Sequence, residues 1–262
     1  MPRTVVTLTT DYGLSDHFAG TVKGVILGIN PAAEIVDISH QVSPYEIAEG
    51  GFVLAQAYRF FPRKTVHVVV VDPGVGSLRR PILAEAGGQY FVAPDNGILS
   101  LIYAREKHKV RAITAEKYFL KPVSHTFHGR DIFAPVAAHL SKGVLPARFG
   151  KPVSDYARSE FYQPLRTGKR TWSGAILKID RFGNLITNFH LAEFPTIQTR
   201  PFEMAAGAER IRGFARTFAA CSAGELWVIG GSSGYLEIVS NQASAARRLG
   251  CAVGAPVELT LY

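Results

Sequence analysis

Four short stretches of this chain set carboxylates, arginines or histidines beside turn residues. They are Asp11 with Asp16 in TTDYGLSD, Asp72 with Arg79 in VVVVDPGVGSLRR, His128 with Arg130 and Asp131 in HTFHGRDIF, and Asp180, Asn184 and Asn188 in IDRFGNLITN. An aspartate after the first strand of an α/β sheet can accept both hydroxyls of a ribose, one on each oxygen. The alternative for Asp11 is an Asx turn over Asp11-Tyr12-Gly13. Asp72 and Arg79 can orient a small polar ligand, or Asp72 can cap its own turn while the arginines stay solvated. His128 suits a general base, although a histidine ahead of a helix is also a common scaffold residue. GGSSG at 230–234 can cradle an anion on backbone N–H groups or simply turn a hairpin.

Several chemistries lack their signatures. The eight histidines include no HExxH pair, and no remote carboxylate has ligand spacing to His125 and His128, so no metal site is expected. DPGVGS fits neither GxGxxG nor a GKS/GKT loop, and the serine clusters lack GxSxG, which disfavours dinucleotide, nucleoside triphosphate and nucleophilic hydrolase sites. Cys221 and Cys251 lie far apart without CxxC spacing and read as reduced packing residues. A net charge of +8 suggests phosphate neutralisation. The basic residues are nevertheless scattered singles and pairs such as Arg247-Arg248, so no nucleic-acid partner is expected. The apolar run 5–8 is too short for a leader or a span and Asp11 follows it, so a cytoplasmic protein without membrane contact is expected.

The elements that must position these groups follow from periodicity. Four consecutive valines, 68–71, suit a strand buried on both faces, and Pro73, Gly74 and Gly76 force a turn directly after Asp72. A strand at 5–9 leads through Asp11 and Asp16 into a helix marked by Phe18, Val22, Val25, Ile26 and Ile29, which Asn30-Pro31 stops. A second strand lies at 35–38. Ser43-Pro44-Tyr45-Glu46 reads as a capping box that starts a helix running toward residue 60. This strand–helix alternation predicts an α/β fold with a largely parallel sheet and ligands beyond its carboxyl edge. A hairpin across Gly87-Gly88, a short helix near 99–104, a strand at 109–114 and a helix ended by Gly143 complete an N-terminal domain, 1–150. Residues 151–170, rich in turn signals, read as a linker. Short β-like runs at 175–179, 185–188, 226–229, 236–239 and 257–261 then predict a smaller, mostly antiparallel β domain over 171–262.

TTDYG, VVDPGVGSLRRPI, APDNG, TFHGRDIFAP, IDRFGNLITN and GSSGYLEI occur in order across nearly the whole chain. Together they resemble the S-adenosyl-L-methionine (SAM) hydroxide adenosyltransferases, relatives of the fluorinases and chlorinases. The resemblance implies a C-terminal β-barrel-like domain and a homotrimer whose sites lie between the N domain of one subunit and the C domain of the next. It implies SAM as substrate without a cofactor, hydrolysed to adenosine and L-methionine by water or hydroxide attacking C5′. The family's Asp, Arg and His triad falls on Asp72, Arg79 and His128; motif register selects Arg79 over Arg80. By the same resemblance Asp11 holds the ribose hydroxyls, Asp16 and Asp180 the methionine ammonium, and Asn184 the adenine or ribose side. Phe127 and Tyr45 are walls, and Ser232 and Glu237 of GSSGYLEI are further substrate contacts. The halogenating relatives carry tyrosine at position 72, serine at 129 and arginine at 233 and 240. Asp72 and Gly129 therefore favour hydroxide over halide, since a carboxylate repels a halide ion. Either His128 takes the proton while Asp72 positions water and Arg79 holds both, or Arg79 and His128 capture hydroxide directly. A SAM- or adenosine-binding protein without turnover, or a 5′-halogenating relative, are the competing readings.

Overall fold

The β-branched runs become the interior strands of a mixed sheet. In the computed structural model, which describes residues 4–262, the chain divides into two compact units, the first ending at Ser159 and the second running Glu160–Tyr262. The first runs β1 (Val5–Thr10), α1 (Phe18–Ile29), β2 (Glu34–Ser39), α2 (Ile47–Ala57), β3 (Val66–Val70), β4 (Pro81–Ala86), β5 (Gln89–Pro94), α3 (Ser100–Arg105), β6 (His108–Ala112), α4 (Ala134–Ser141) and β7 (Pro152–Val153). Its sheet order is β2-β1-β3-β5-β4-β6-β7. The strands from β2 to β5 pair in parallel, and β5-β4-β6-β7 are antiparallel. The expected parallel sheet thus exists over the half that carries the candidate residues.

Every residue of β3 is buried, as a strand covered on both faces requires. Val6, Leu8, Val68 and Val70 pack with Val22 and Ile26 of α1 and Phe133 and Val136 near α4 in one core. The β4–β5 hairpin turns on Gly87 and Gly88, both at positive φ (57° and 78°), which matches the right-handed strand twist. Chain order carries β1 to β2 on one side and to β3 on the other, so β1/β3 is the switch point where an open α/β sheet leaves a crevice.

The start of α2 differs from the sequence expectation. The helix begins at Ile47 after Glu46, whose side chain makes no capping bond. The Ser43 N–H instead donates to Glu49 Oε2 (2.9 Å), and Tyr45 takes a left-handed φ of 71°. The cause is a competing bond: Asp11 Oδ2 accepts the Tyr45 N–H (3.0 Å) and draws 43–46 into a loop over the end of β1.

Residues 151–159 are bonded within the first unit. β7 pairs with β6, Arg80 donates to Asp155 Oδ1 (2.9 Å), and Asp95 Oδ1 accepts the Ala157 N–H (2.7 Å).

The second unit comprises β8 (Leu165–Arg166), β9 (Thr171–Ile179), β10 (Leu185–His190), β11 (Phe202–Ala206), β12 (Glu209–Ile211), β13 (Phe214–Ala215), β14 (Leu226–Gly230), β15 (Tyr235–Ser240), α5 (Ala245–Leu249) and β16 (Pro256–Leu261). These form one sheet curled into a half barrel, antiparallel except for β13 beside β14. Ile176, Leu185, Phe189, Met204, Leu236, Ile238 and Leu259 fill its core. Cys221 and Cys251 are free. Among the described residues no helix is long and apolar enough to cross a membrane.

Candidate active site

Adjacent parallel strands β1 and β3 end level with each other, Thr10 opposite Val70, so the chain releases Asp11 and Asp72 side by side. Both carboxylates line one cavity of about 190 Å³ together with Tyr12, Phe18, Tyr45, Val75, Phe127 and His128. Burial raises the Asp11 carboxyl above its ordinary value; the Tyr45 N–H opposes this and the neighbouring Asp72 adds to it. The Asx turn does not form at Asp11, because the Gly13 N–H donates to the His40 carbonyl (2.8 Å). The 10–13 turn is held from behind. Thr10 Oγ1 accepts the Tyr12 N–H (3.2 Å) and meets His40 Nδ1 (2.7 Å), while His40 Nε2 faces Asp37 Oδ1 (3.1 Å).

The turn after β3 is built by the residues singled out in the sequence. The Val75 N–H donates to the Asp72 carbonyl (3.2 Å), and the Ser77 hydroxyl donates to the Gly74 carbonyl (2.7 Å) while accepting the Arg79 N–H (3.3 Å). Gly76 alone of the two glycines needs positive φ (77°), and a Cβ there would lie 2.3 Å from the His125 carbonyl oxygen. That close approach brings the 72–79 turn against the segment carrying His128.

Arg79 joins the two. Its Nε donates to Asp72 Oδ1 (2.9 Å), its Nη2 donates to Asp72 Oδ2, and the same Nη2 donates to His128 Nδ1 (2.8 Å). Both ion-pair side chains are nearly buried, at 9% and 5% exposure, so the solvated-arginine alternative does not occur. The guanidinium also lies over the Phe133 ring, 5.3 Å from its centroid. Arginine has only donors, so Nδ1 of His128 is an acceptor and a neutral ring carries its proton on Nε2. Burial first, and Arg79 second, lower the His128 pKa below the ordinary imidazole value, against weaker opposition from Asp72, Asp131 and the Ser124 backbone. Arg130 and Asp131 of the same motif pair with each other (2.6 Å), and Asp131 also accepts the Ser124 N–H (2.9 Å). They hold the loop ahead of a π-helical turn, Gly129–Phe133, that leads into α4.

The remaining candidates lie elsewhere. Asp16 is exposed and outside the cavity lining. In the second unit, Asp180 Oδ1 accepts the Phe182 and Asn184 N–H groups (2.9 Å each), and its Oδ2 accepts the Asn184 amide (2.9 Å). These residues, the exposed ring of Phe182 and the buried Ser240 line a second cavity of about 950 Å³. GGSSG turns the β14–β15 hairpin through Gly234 N–H to the Gly231 carbonyl (3.0 Å), and Ser232 is exposed on it. Glu237 is buried and accepts the Ser233 hydroxyl (3.3 Å); burial and then Asp180 raise its carboxyl pKa. Sequence reasoning missed Tyr12, Phe18 and Val75 as cavity residues. Tyr12 follows Asp11 directly, and that adjacency was the available signal.

Paired carboxylates and a guanidinium–imidazole contact beyond the carboxyl edge of a parallel sheet define an α/β enzyme of small-molecule chemistry. Comparison with known proteins narrows this. Residues 6–150 match the SAM hydroxide adenosyltransferase N-terminal domain and residues 174–258 its C-terminal domain. A protein of Salinispora tropica named (R)-S-adenosyl-L-methionine hydrolase is 37% identical over 264 residues, covering 99% of this chain and 98% of that one. A fluorinase of Actinoplanes sp. is 27% identical over 213 residues, covering 71% and 72%. The crystal structure of an uncharacterized conserved protein from Thermotoga maritima superposes with a TM-score of 0.88 at 37% identity, covering 98% of this chain and 100% of that one. The chain belongs to the SAM hydroxide adenosyltransferase family, and it is an enzyme.

Proposed function

We propose that this enzyme hydrolyses SAM to adenosine and L-methionine by attack of water on C5′, with Asp72, Arg79 and His128 organising the nucleophile. The observation that carries the reading is that Asp72 and His128, which both line one cavity, are bonded to a single guanidinium, Arg79, that is not itself part of the lining. Arg79 fixes both carboxylate oxygens by one lone pair each, which leaves the others to accept an O–H of water. As the C5′–O bond forms, the C5′–S electron pair leaves with sulfur as a neutral thioether, so no general acid is needed. The attacking oxygen becomes acidic only as it bonds to carbon. Its proton then passes to Asp72 and on to solvent.

His128 is not the proton acceptor in this scheme, because its Nδ1 lone pair already faces Arg79. It holds the guanidinium, and through it the carboxylate, in register. The negative charge of Asp72 works against a halide nucleophile, and the serine that the halogenating relatives carry at 129 would not fit here, since a Cβ on Gly129 would lie 2.2 Å from Tyr12 Oη. At about 190 Å³ the first-unit cavity is smaller than the roughly 300 Å³ at which small-molecule sites begin. A cavity this small leaves room for another surface to complete it, and from the family resemblance the proposal takes a homotrimer in which a neighbouring copy does so, with Asp11 on the ribose and Asp180 on the methionine ammonium.

Chromatography of SAM incubated with the enzyme is expected to show adenosine and methionine in equal amounts. In ¹⁸O-labelled water the label should enter the adenosine 5′-hydroxyl; unlabelled adenosine would exclude attack by solvent. Asp72→Asn should lose at least ~10²-fold in kcat, and His128→Ala about 10²-fold through misplacement of Asp72. Wild-type turnover in Asp72→Asn would remove Asp72 from the mechanism.

A further inference from the structure

We propose that the Tyr12 hydroxyl is a catalytic donor that holds the attacking water, an inference that rests on the hydrolytic reading above. Tyr12 stands in the wall that also presents Asp72 and His128. Its ring is fixed by edge and tilted contacts to Phe127 (5.8 Å between centroids) and Phe18 (5.9 Å), and its backbone N–H is bonded to Thr10 Oγ1. The ring therefore has a defined direction, while no described residue bonds its hydroxyl. A polar hydrogen held in a largely apolar wall without a partner is costly unless a ligand or water takes it.

The surroundings also fix its protonation. Burial, with Asp11 and Asp72 nearby, raises the phenol pKa far above the ordinary value, so the group remains O–H and can only donate or share its lone pairs. Asp72, by contrast, can only accept. One donor and one acceptor facing the same small cavity suit a water molecule, whose oxygen takes the phenol hydrogen while one of its own hydrogens goes to the carboxylate. Such clamping aims the remaining lone pair and limits rotation before attack.

The backbone confirms how closely the hydroxyl is seated. A Cβ built on Gly129 would lie 2.2 Å from Tyr12 Oη but 3.2 Å from both Tyr12 Cζ and Phe127 Cε2. Glycine at 129 therefore makes space for this one oxygen. Removing the oxygen alone would leave room for a small side chain at position 129.

Steady-state kinetics on SAM with wild type, Tyr12→Phe, Gly129→Ser and the Tyr12→Phe/Gly129→Ser double variant test the assignment, with thermal melts to check folding. Tyr12→Phe keeps the ring packing and should lower kcat at least about tenfold with KM changed less than about threefold. Gly129→Ser alone should be impaired by collision with Tyr12. The double variant, with a serine hydroxyl in the vacated space, should recover at least about threefold over Tyr12→Phe, which a purely structural role for the tyrosine would not produce. Tyr12→Phe with wild-type kcat overturns the inference while leaving SAM hydrolysis standing. Absence of adenosine from the wild type overturns the hydrolytic reading and this inference with it.

Discussion

His67 shows how much a single buried imidazole contributes away from the chemistry. It is fully enclosed in β3, its Nδ1 bonded to Thr7 Oγ1 (2.7 Å) and its Nε2 to Gln89 Oε1 (3.3 Å). The Gln89 amide in turn donates to the carbonyls of Tyr58, Phe61 and Pro62. Burial pushes the His67 pKa down to about 4, with Gln89 opposing weakly. The unfolded chain binds this proton below about pH 6.5 and the folded chain only below about 4. Across that window the unfolded state holds more protons, so stability falls as pH falls, by up to ~3 kcal/mol at the acid end. Denaturant melts at pH 7 and pH 4.5 should show wild type losing about 2 kcal/mol more than His67→Gln. Equal losses would mean that the buried imidazole is not the source. At this scale residue types and spacing singled out Asp72 with Arg79 and, separately, His128; only the family resemblance joined the three, which the fold does bring into contact. Neither identified Tyr12, because no spacing states where the hydroxyl at the end of an aromatic ring will lie.

Helix α2 and strand β3 illustrate what an element owes to its neighbours. Gly50, mid-helix, would on propensity alone gain about 1 kcal/mol as alanine. Its Cβ would, however, lie 2.8 Å from Val71 Cγ2 and 3.3 Å from Ile98 Cδ1. Valine is stiff about χ1, so the strand end beside Asp72 must move. Gly50→Ala should therefore destabilise by about 1–3 kcal/mol and lower kcat as well; a stabilised variant with full activity would show that α2 yields instead. The same helix marks where local pattern stopped being informative. Strand β3 and the Gly87-Gly88 hairpin follow from four valines and two adjacent glycines, both purely local signals. The start of α2 does not, since Asp11, 34 residues from Tyr45, outcompetes the local capping box. Strands β12 and β13 were equally illegible, being too short for alternation to register, and Ala205 and Ala206 blur the pattern in β11.

For the whole molecule, apolar side chains stand in the loops that carry the site. Leu14, Tyr45 and Leu78 are 65%, 72% and 101% exposed, a placement that suits burial against another copy. The proposed homotrimer should give a native mass of about three times 28.5 kDa in light scattering. Replacing Leu78 with Asp should weaken assembly and raise KM together, and a fully active 28.5 kDa species would exclude a shared site. Composition alone could not reveal this surface, because isolated exposed leucines are ordinary in any globular protein.

Arg79 and Arg80 are neighbours that face opposite duties. The first grips Asp72 and His128, while the second donates to Asp95 Oδ2 (2.7 Å) and to both the side chain and carbonyl of Asp155. Loop length between Val71 and Pro81 is thus not a free variable. Deleting or inserting one residue there would offer the wrong guanidinium to each partner, so insertions and deletions in this stretch should be far less tolerated than exchanges of its exposed side chains.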